Sequence, residues 1–171
     1  MNISINIRLL YAVLAGLLAC SVPDTMGPRG TAMATPSSGF VSSVTSASGV
    51  DEINLKTLEG VHQARIKTKG LSDVCVVPNV VAPGGQSGWH THPGPSVVVV
   101  KSGTATVYDG DDPTCTPQVY EAGSAFLDRG GGHLHLVRNE NTVALELIAF
   151  QIIPAGEARR IDAPDPGYCV F

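Results

Sequence analysis

Beyond about residue 51 the chain never runs far without a turn signal, and this limits its fold more than any other feature. "DVCVVPNVVAPGG" ends in a proline-glycine break, and "SVVVVKSGTATVYDGDD" is split at Ser102-Gly103. "PQVYEAGSAFLDRGGG" divides around Ala122-Gly123, and "HLHLVRNENTVALELIAFQIIPAG" divides at "RNEN". The pieces are short and rich in valine and isoleucine, whose branched side chains pack well on a pleated surface. The glycines and asparagines at the breaks suit turn geometry. Strands recurring this closely predict an all-β sandwich or barrel. The split at Ser102-Gly103 predicts a hairpin. "VHQARIKTKG" reads as a further strand, and "AGEARRIDAP" as one helical turn or a loop.

Two of the runs carry histidine pairs, His90 with His92 and His133 with His135. Residues two apart on a strand point to the same face, so each pair presents two imidazoles together. Four of the five histidines fall in these pairs, and only His62 stands alone. One such pair is ordinary surface decoration; two in a small β domain point to a divalent metal. His90 and His92 supply two ligands, and the second pair offers the third. Structural zinc favours four closed ligands, usually with thiolates, whereas an imidazole set leaves room for water or a small molecule. Fe, Mn, Zn, Ni and Cu are all compatible with imidazole. Trp89 alternates away from His90 and is expected in the core or at the barrel rim. Glu146 is a second-tier ligand or acid-base candidate if it projects inward from its strand. Asp128 and Arg129 read as surface charges in a turn, with substrate contact as the other assignment.

Charge narrows the partners. Lys and Arg number 11 against 15 Asp and Glu, the net charge is −4, and no basic run occurs. Nucleic-acid binding, which needs a basic footprint, is disfavoured. No hydrolase triad, phosphate loop or nucleotide fingerprint is present.

The N-terminus has the form of an export signal over residues 1–20. Arg8 precedes the apolar run "LLYAVLAGLLAC", which is short for a membrane span. Its end resembles a bacterial lipobox, with Cys20 as the lipidation site and the only membrane contact an N-terminal anchor. Plain secretion with cleavage at "AMA", residues 32–34, is the alternative. Residues 21–50 are small, polar and nearly uncharged, which predicts a flexible tether. Residues 51–171 form the domain with its C-terminal tail. Export implies an oxidising compartment, membrane-anchored, secreted or periplasmic. Cys115 and Cys169 lie in loop-like segments and are expected to form a disulfide that pins the tail. Cys75, in an apolar run, reads as a small buried hydrophobe.

At the histidines the sequence resembles the cupins. Gly84, five residues, His90-Thr91-His92, three residues, Ser96, six residues and Gly103 follow the spacing of that family's first motif. The second motif is matched by Gly123, Gly131, His135 and Asn139, with Arg129 where the family has proline and one extra residue before the histidine. The resemblance covers roughly residues 60–153 and implies a jelly-roll β-barrel with a metal inside. His90, His92 and His135 match its ligand positions, and His133 is a second-tier candidate. Ser96 stands where the family has a glutamate ligand, which leaves a neutral three-histidine site of lower affinity. The resemblance implies small-molecule binding or transformation, dioxygenase- or isomerase-like if catalytic. A non-catalytic ligand-binding or structural barrel with a degenerate site is the alternative. Cupin-like barrels often pair through exposed sheet edges, so a homodimer is a further expectation.

Overall fold

A computed structural model describes residues 33–57 and 60–171. Its described residues hold thirteen strands and no helix. β1 (Ser38–Ser42), β2 (Thr45–Val50) and the long β5 (Ser72–Gln86) form one side of the barrel with β7 (Ser96–Ser102), β10 (Ala125–Asp128) and β12 (Leu145–Pro154). β6 (His90–Thr91), β8 (Thr104–Asp109), β9 (Gln118–Glu121), β11 (His135–Arg138) and β13 (Ile161–Asp162) form the other. β5 runs from one side to the other, meeting β11 through Gln86 and Arg138. The short pair β3 (Asn54–Lys56) and β4 (Arg65–Lys67) stands apart. The whole is a single-domain, nearly closed jelly-roll barrel.

The period-2 pattern decides which side chains face inward. β12 alternates strictly, with Leu145, Leu147, Ala149, Gln151 and Ile153 buried. It lies between β5 and β7, pairing with both in antiparallel register. Cys75, Val77 and Val81 of β5 and Val98 and Val100 of β7 fill the same core. The outward residues of this side are also apolar: Val76, Val97, Leu127 and Phe150 lie exposed along one row of strands. A second cluster, Trp89, Tyr108, Leu136 and Cys169, lies behind the histidine strands. Trp89 is fully buried, on the face opposite His90.

The hairpin expected at Ser102-Gly103 does not form. β7 pairs with β10 and β12, whereas β8 pairs with β9 and β11. The chain turns a corner there and changes sheets. Gly103 sits at that corner at φ 79°, where an added Cβ would lie 2.7 Å from the Ala144 carbonyl oxygen. The tether expected over residues 21–50 is corrected from Ser38 onward, because β1 and β2 pair with β5. Their ordering comes from backbone hydrogen bonds along a sheet edge, which need no apolar pattern. "AGEARRIDAP" is turn and loop over residues 155–160, one of its two expected forms, and is corrected only at Ile161 and Asp162, which form β13 against β6. The export signal and Cys20 lie outside the described residues.

Cys115 and Cys169 form a disulfide that closes 54 residues of sequence. The tail it holds sets Phe171 edge-to-face against Tyr108 and under the Arg138 guanidinium, and Tyr168 donates its hydroxyl hydrogen to the Gly110 carbonyl. Cys75 is fully buried in the core, as its apolar run predicts. Replacing Cys115 and Cys169 with serine is expected to cost about 2–4 kcal/mol of stability, through the freed unfolded chain. Urea unfolding of both forms measures it, and an unchanged midpoint contradicts the expectation.

Candidate metal centre

His90 and His135 face each other across the β6–β11 ladder, so two strands rather than a loop fix their separation. Their ring centroids are 4.2 Å apart, and His92 lies 4.9 Å from His90 and 5.4 Å from His135. One nitrogen from each converges within 4.8 Å of the others, and all three residues are buried. The sequence therefore grouped these three histidines correctly in space.

The Nδ1 atoms point away from the point of convergence. His90 Nδ1 lies 2.9 Å from the Gly88 carbonyl, His92 Nδ1 2.6 Å from that of Arg159, and His135 Nδ1 3.4 Å from that of His133. A carbonyl can only accept, so each Nδ1 carries the proton and donates. That leaves the Nε2 lone pairs for a ligand, and this outer hydrogen bond is what fixes the tautomer in histidine metal sites. Burial pushes all three imidazoles toward neutrality. His90 is held well below its ordinary pKa by burial, then by His135 and Arg160. His92 is lowered to about 3 by burial first and His135 second. His135 is lowered as well, chiefly by burial, against a raising influence from Asp128. Three neutral, preoriented imidazoles are the donor set a borderline divalent ion requires, so the residues fit such an ion.

The shifts set a pH dependence for the metal-free protein. The folded pKa values lie below the unfolded value of 6.5, so the unfolded chain binds more protons in between. The contribution is therefore complete above pH 6.5 and is lost as pH falls toward 3. The melting temperature is expected to be flat from pH 8 to 7 and to drop between about 6.5 and 5, and His92→Gln to shallow that drop. Equal slopes in thermal melts of the two proteins would contradict this.

The three histidines line a small cavity of about 50 Å³. Ser96, Gln151, Asn79 and Ser87 give its walls polar points, and Arg159 and Arg160 line it as well. No carboxylate lines it among the described residues. Ser96 faces inward as the glutamate would, and its Oγ accepts a hydrogen bond from Gln151 Nε2 at 3.0 Å. Arg160 reaches the Ser87 carbonyl at 2.6 Å and pairs with Asp162.

Three expectations need revision. Glu146 points outward: it alternates with the buried Leu145 and Leu147, and its carboxylate pairs with Lys101 at 2.6 Å. Lys101 holds that carboxyl below its ordinary pKa. His133 is not a fourth member of the triad. It sits between two carboxylates, its Nδ1 3.1 Å from Asp128 Oδ1 and its Nε2 3.1 Å from Asp109 Oδ2. Asp128 is not a surface turn charge but is 4% exposed. Its alternation with the buried Phe126 and the exposed Leu127 could have revealed this. Arg159 and Arg160 were missed because nothing in "AGEARRIDAP" signals a strand folded over the site. Asn139 serves the scaffold, donating from Nδ2 to the Val81 and Val143 carbonyls and holding the β11–β12 corner.

Residues 80–151 match the family model described as Cupin domain, a stretch that includes His90, His92, Ser96 and His135. No curated protein matches the chain in sequence. Among solved structures the chain is similar to an uncharacterized conserved protein with a double-stranded β-helix domain from Klebsiella pneumoniae. That match has 21% identity and a TM-score of 0.44, and covers 66% of this chain and 84% of that one. It is also similar to a Cupin 2 conserved barrel domain protein from Salinispora arenicola, with 24% identity, TM-score 0.40, and 46% and 61% covered. A third is salicylate 1,2-dioxygenase from Pseudoaminobacter salicylatoxidans in complex with gentisate, with 15% identity, TM-score 0.40, and 46% and 20% covered.

Proposed function

We propose that this cupin-type barrel is an exported protein that holds a divalent metal ion on His90, His92 and His135 and uses it to bind and transform a small molecule. The carrying observation is the convergence of three buried imidazoles whose Nδ1 atoms are each turned to a backbone carbonyl. A bound ion supplies Lewis acidity, and redox chemistry if it is iron. The protein residues around it have separate tasks. His90 and His135 are fixed by strand pairing, and His92 by the Arg159 carbonyl, so the site is preorganised. Ser96 and Gln151 offer hydrogen bonds to a ligand in the cavity, which Arg159 and Arg160 also line. The apolar Val98, Phe126 and Leu147 deeper in the barrel exclude water.

Export draws its support from the N-terminal apolar run and from the Cys115–Cys169 disulfide, which suits an oxidising compartment. Pairing of two copies draws on the exposed apolar row on the outer sheet, and sedimentation showing monomer alone at high protein concentration removes it. The second reading, a barrel that binds without catalysis, is favoured by one observation: among the described residues no carboxylate lines the cavity to act as general base.

The test is elemental analysis of protein purified without added metal, beside His90→Ala and His135→Ala. The wild type is expected to carry close to one equivalent of a divalent metal and both variants far less. A wild type with no more metal than the variants refutes the proposal. Where metal is present, substrate turnover against a panel of small organic molecules separates the two readings.

A further inference from the structure

Ser96 stands in a row of buried polar residues. Across the β7–β10 ladder it faces Asp128, and across β7–β12 it faces Gln151. These three residues are between 2% and 4% exposed. A carboxylate thus lies one strand away from the position where the cupin resemblance expects a glutamate. Asp128 Oδ1 accepts from the Gly130 amide at 3.1 Å and meets His133 Nδ1 at 3.1 Å. It also lies 3.8 Å from His135 Nδ1, too long for a hydrogen bond but close for two charges. Asp128 Oδ2 is buried and has no hydrogen-bond partner. The contrast is Asp73, also buried, whose two oxygens accept from the Gly49 and Gly156 amides. Asp73 is saturated by the scaffold, whereas Asp128 keeps acceptor capacity beside His135. A buried carboxylate left half-satisfied is costly unless positive charge arrives near it.

We propose that Asp128 is the outer-sphere carboxylate of the metal centre, a positioning residue that steadies His135 and supplies from β10 the negative charge that Ser96 omits on β7. The proposal rests on the metal reading above. Charge attraction persists over several ångströms in a water-poor interior, so the carboxylate acts without touching the ion.

Cobalt(II) titration of the metal-free full chain tests it, with visible absorption and chelator competition as readouts. The wild type is expected to take up one equivalent and His135→Ala to lose it. A wild type that takes up none refutes the metal reading, and the proposal falls with it. Asp128→Asn keeps an acceptor for the Gly130 amide, so its metal-free melting temperature is expected to match the wild type. Its cobalt affinity is expected to fall about 10–100-fold, the usual effect of removing an outer-shell partner. Adding Ser96→Glu to Asp128→Asn returns the carboxylate to the same buried row and is expected to recover most of that loss. Unchanged affinity in Asp128→Asn overturns the proposal. So does a loss that Ser96→Glu leaves unrecovered, or one accompanied by a lowered metal-free melting temperature, since either marks Asp128 as scaffold.

Discussion

Trp89→Ala is expected to lower the unfolding free energy by about 3–5 kcal/mol, the range for large aromatic truncations in a core. Trp89 is fully buried and packs with Tyr108, Leu136 and Cys169. Its surroundings cannot collapse easily into the space. Leu136 is fixed by the β8–β11 ladder, and Cys169 is tied to Cys115. The effect reaches the metal centre because Trp89 directly precedes His90, and its carbonyl accepts from the Ala163 amide that holds the β13 segment in place. Loss of the indole thus loosens the backbone carrying His90 as well as the core behind it. Urea denaturation of the metal-free protein measures the first effect, and metal titration the second. A loss below about 1 kcal/mol would mean that the cluster carries little of the stability.

Gly130→Ala is expected to cost about 2–5 kcal/mol and to weaken metal uptake at the same time. Two causes add. Gly130 has φ 65°, a conformation that costs an L side chain roughly 1–2 kcal/mol. An added Cβ would also overlap the Gly94 carbonyl, and relieving an overpacked contact costs roughly 1–3 kcal/mol more. Gly94 follows His92 by two residues, and Gly130 follows Asp128 by two. Separating these backbones therefore moves a ligand away from the carboxylate row. Gly131→Ala is the control: its φ is 66°, yet nothing lies within 4 Å of its added Cβ. It is expected to show the conformational cost alone, about 1–2 kcal/mol, with metal uptake retained. Equal losses in the two variants, by thermal melts and metal titration, would show that the close approach is unimportant.

Much of the architecture was legible in the sequence because β alternation and turn residues are local signals. The grouping of the three histidines was legible for the same reason: period 2 puts His90 and His92 together, and the resemblance chose His135 over His133. What stayed hidden was pairing. Ser102-Gly103 announces a change of direction but not which strand comes alongside, so a corner between sheets looked like a hairpin. β1 and β2 were invisible because a sheet edge recruits backbone, and "SGFVS" and "TSASGV" carry little apolar pattern. Glu146 and Asp128 show the opposite lesson. Counting alternation from Leu145 puts Glu146 outside, and counting from Phe126 puts Asp128 inside. The information was in the sequence, but the charged side chains suggested solvent where only the strand phase mattered.

The ladder between β5 and β12 joins residues 72–81 to residues 145–154. A nascent chain therefore makes the longest strand of the barrel long before its principal neighbour exists. Until residues 145–154 have been synthesised, one side of "DVCVVPNVV" offers open backbone groups to any other strand it meets. Closure must wait for contacts far apart in sequence, which places folding in the slow, millisecond-to-second regime of non-local β topologies. The same pairing that makes the finished barrel rigid thus leaves its assembly late and exposed to aggregation.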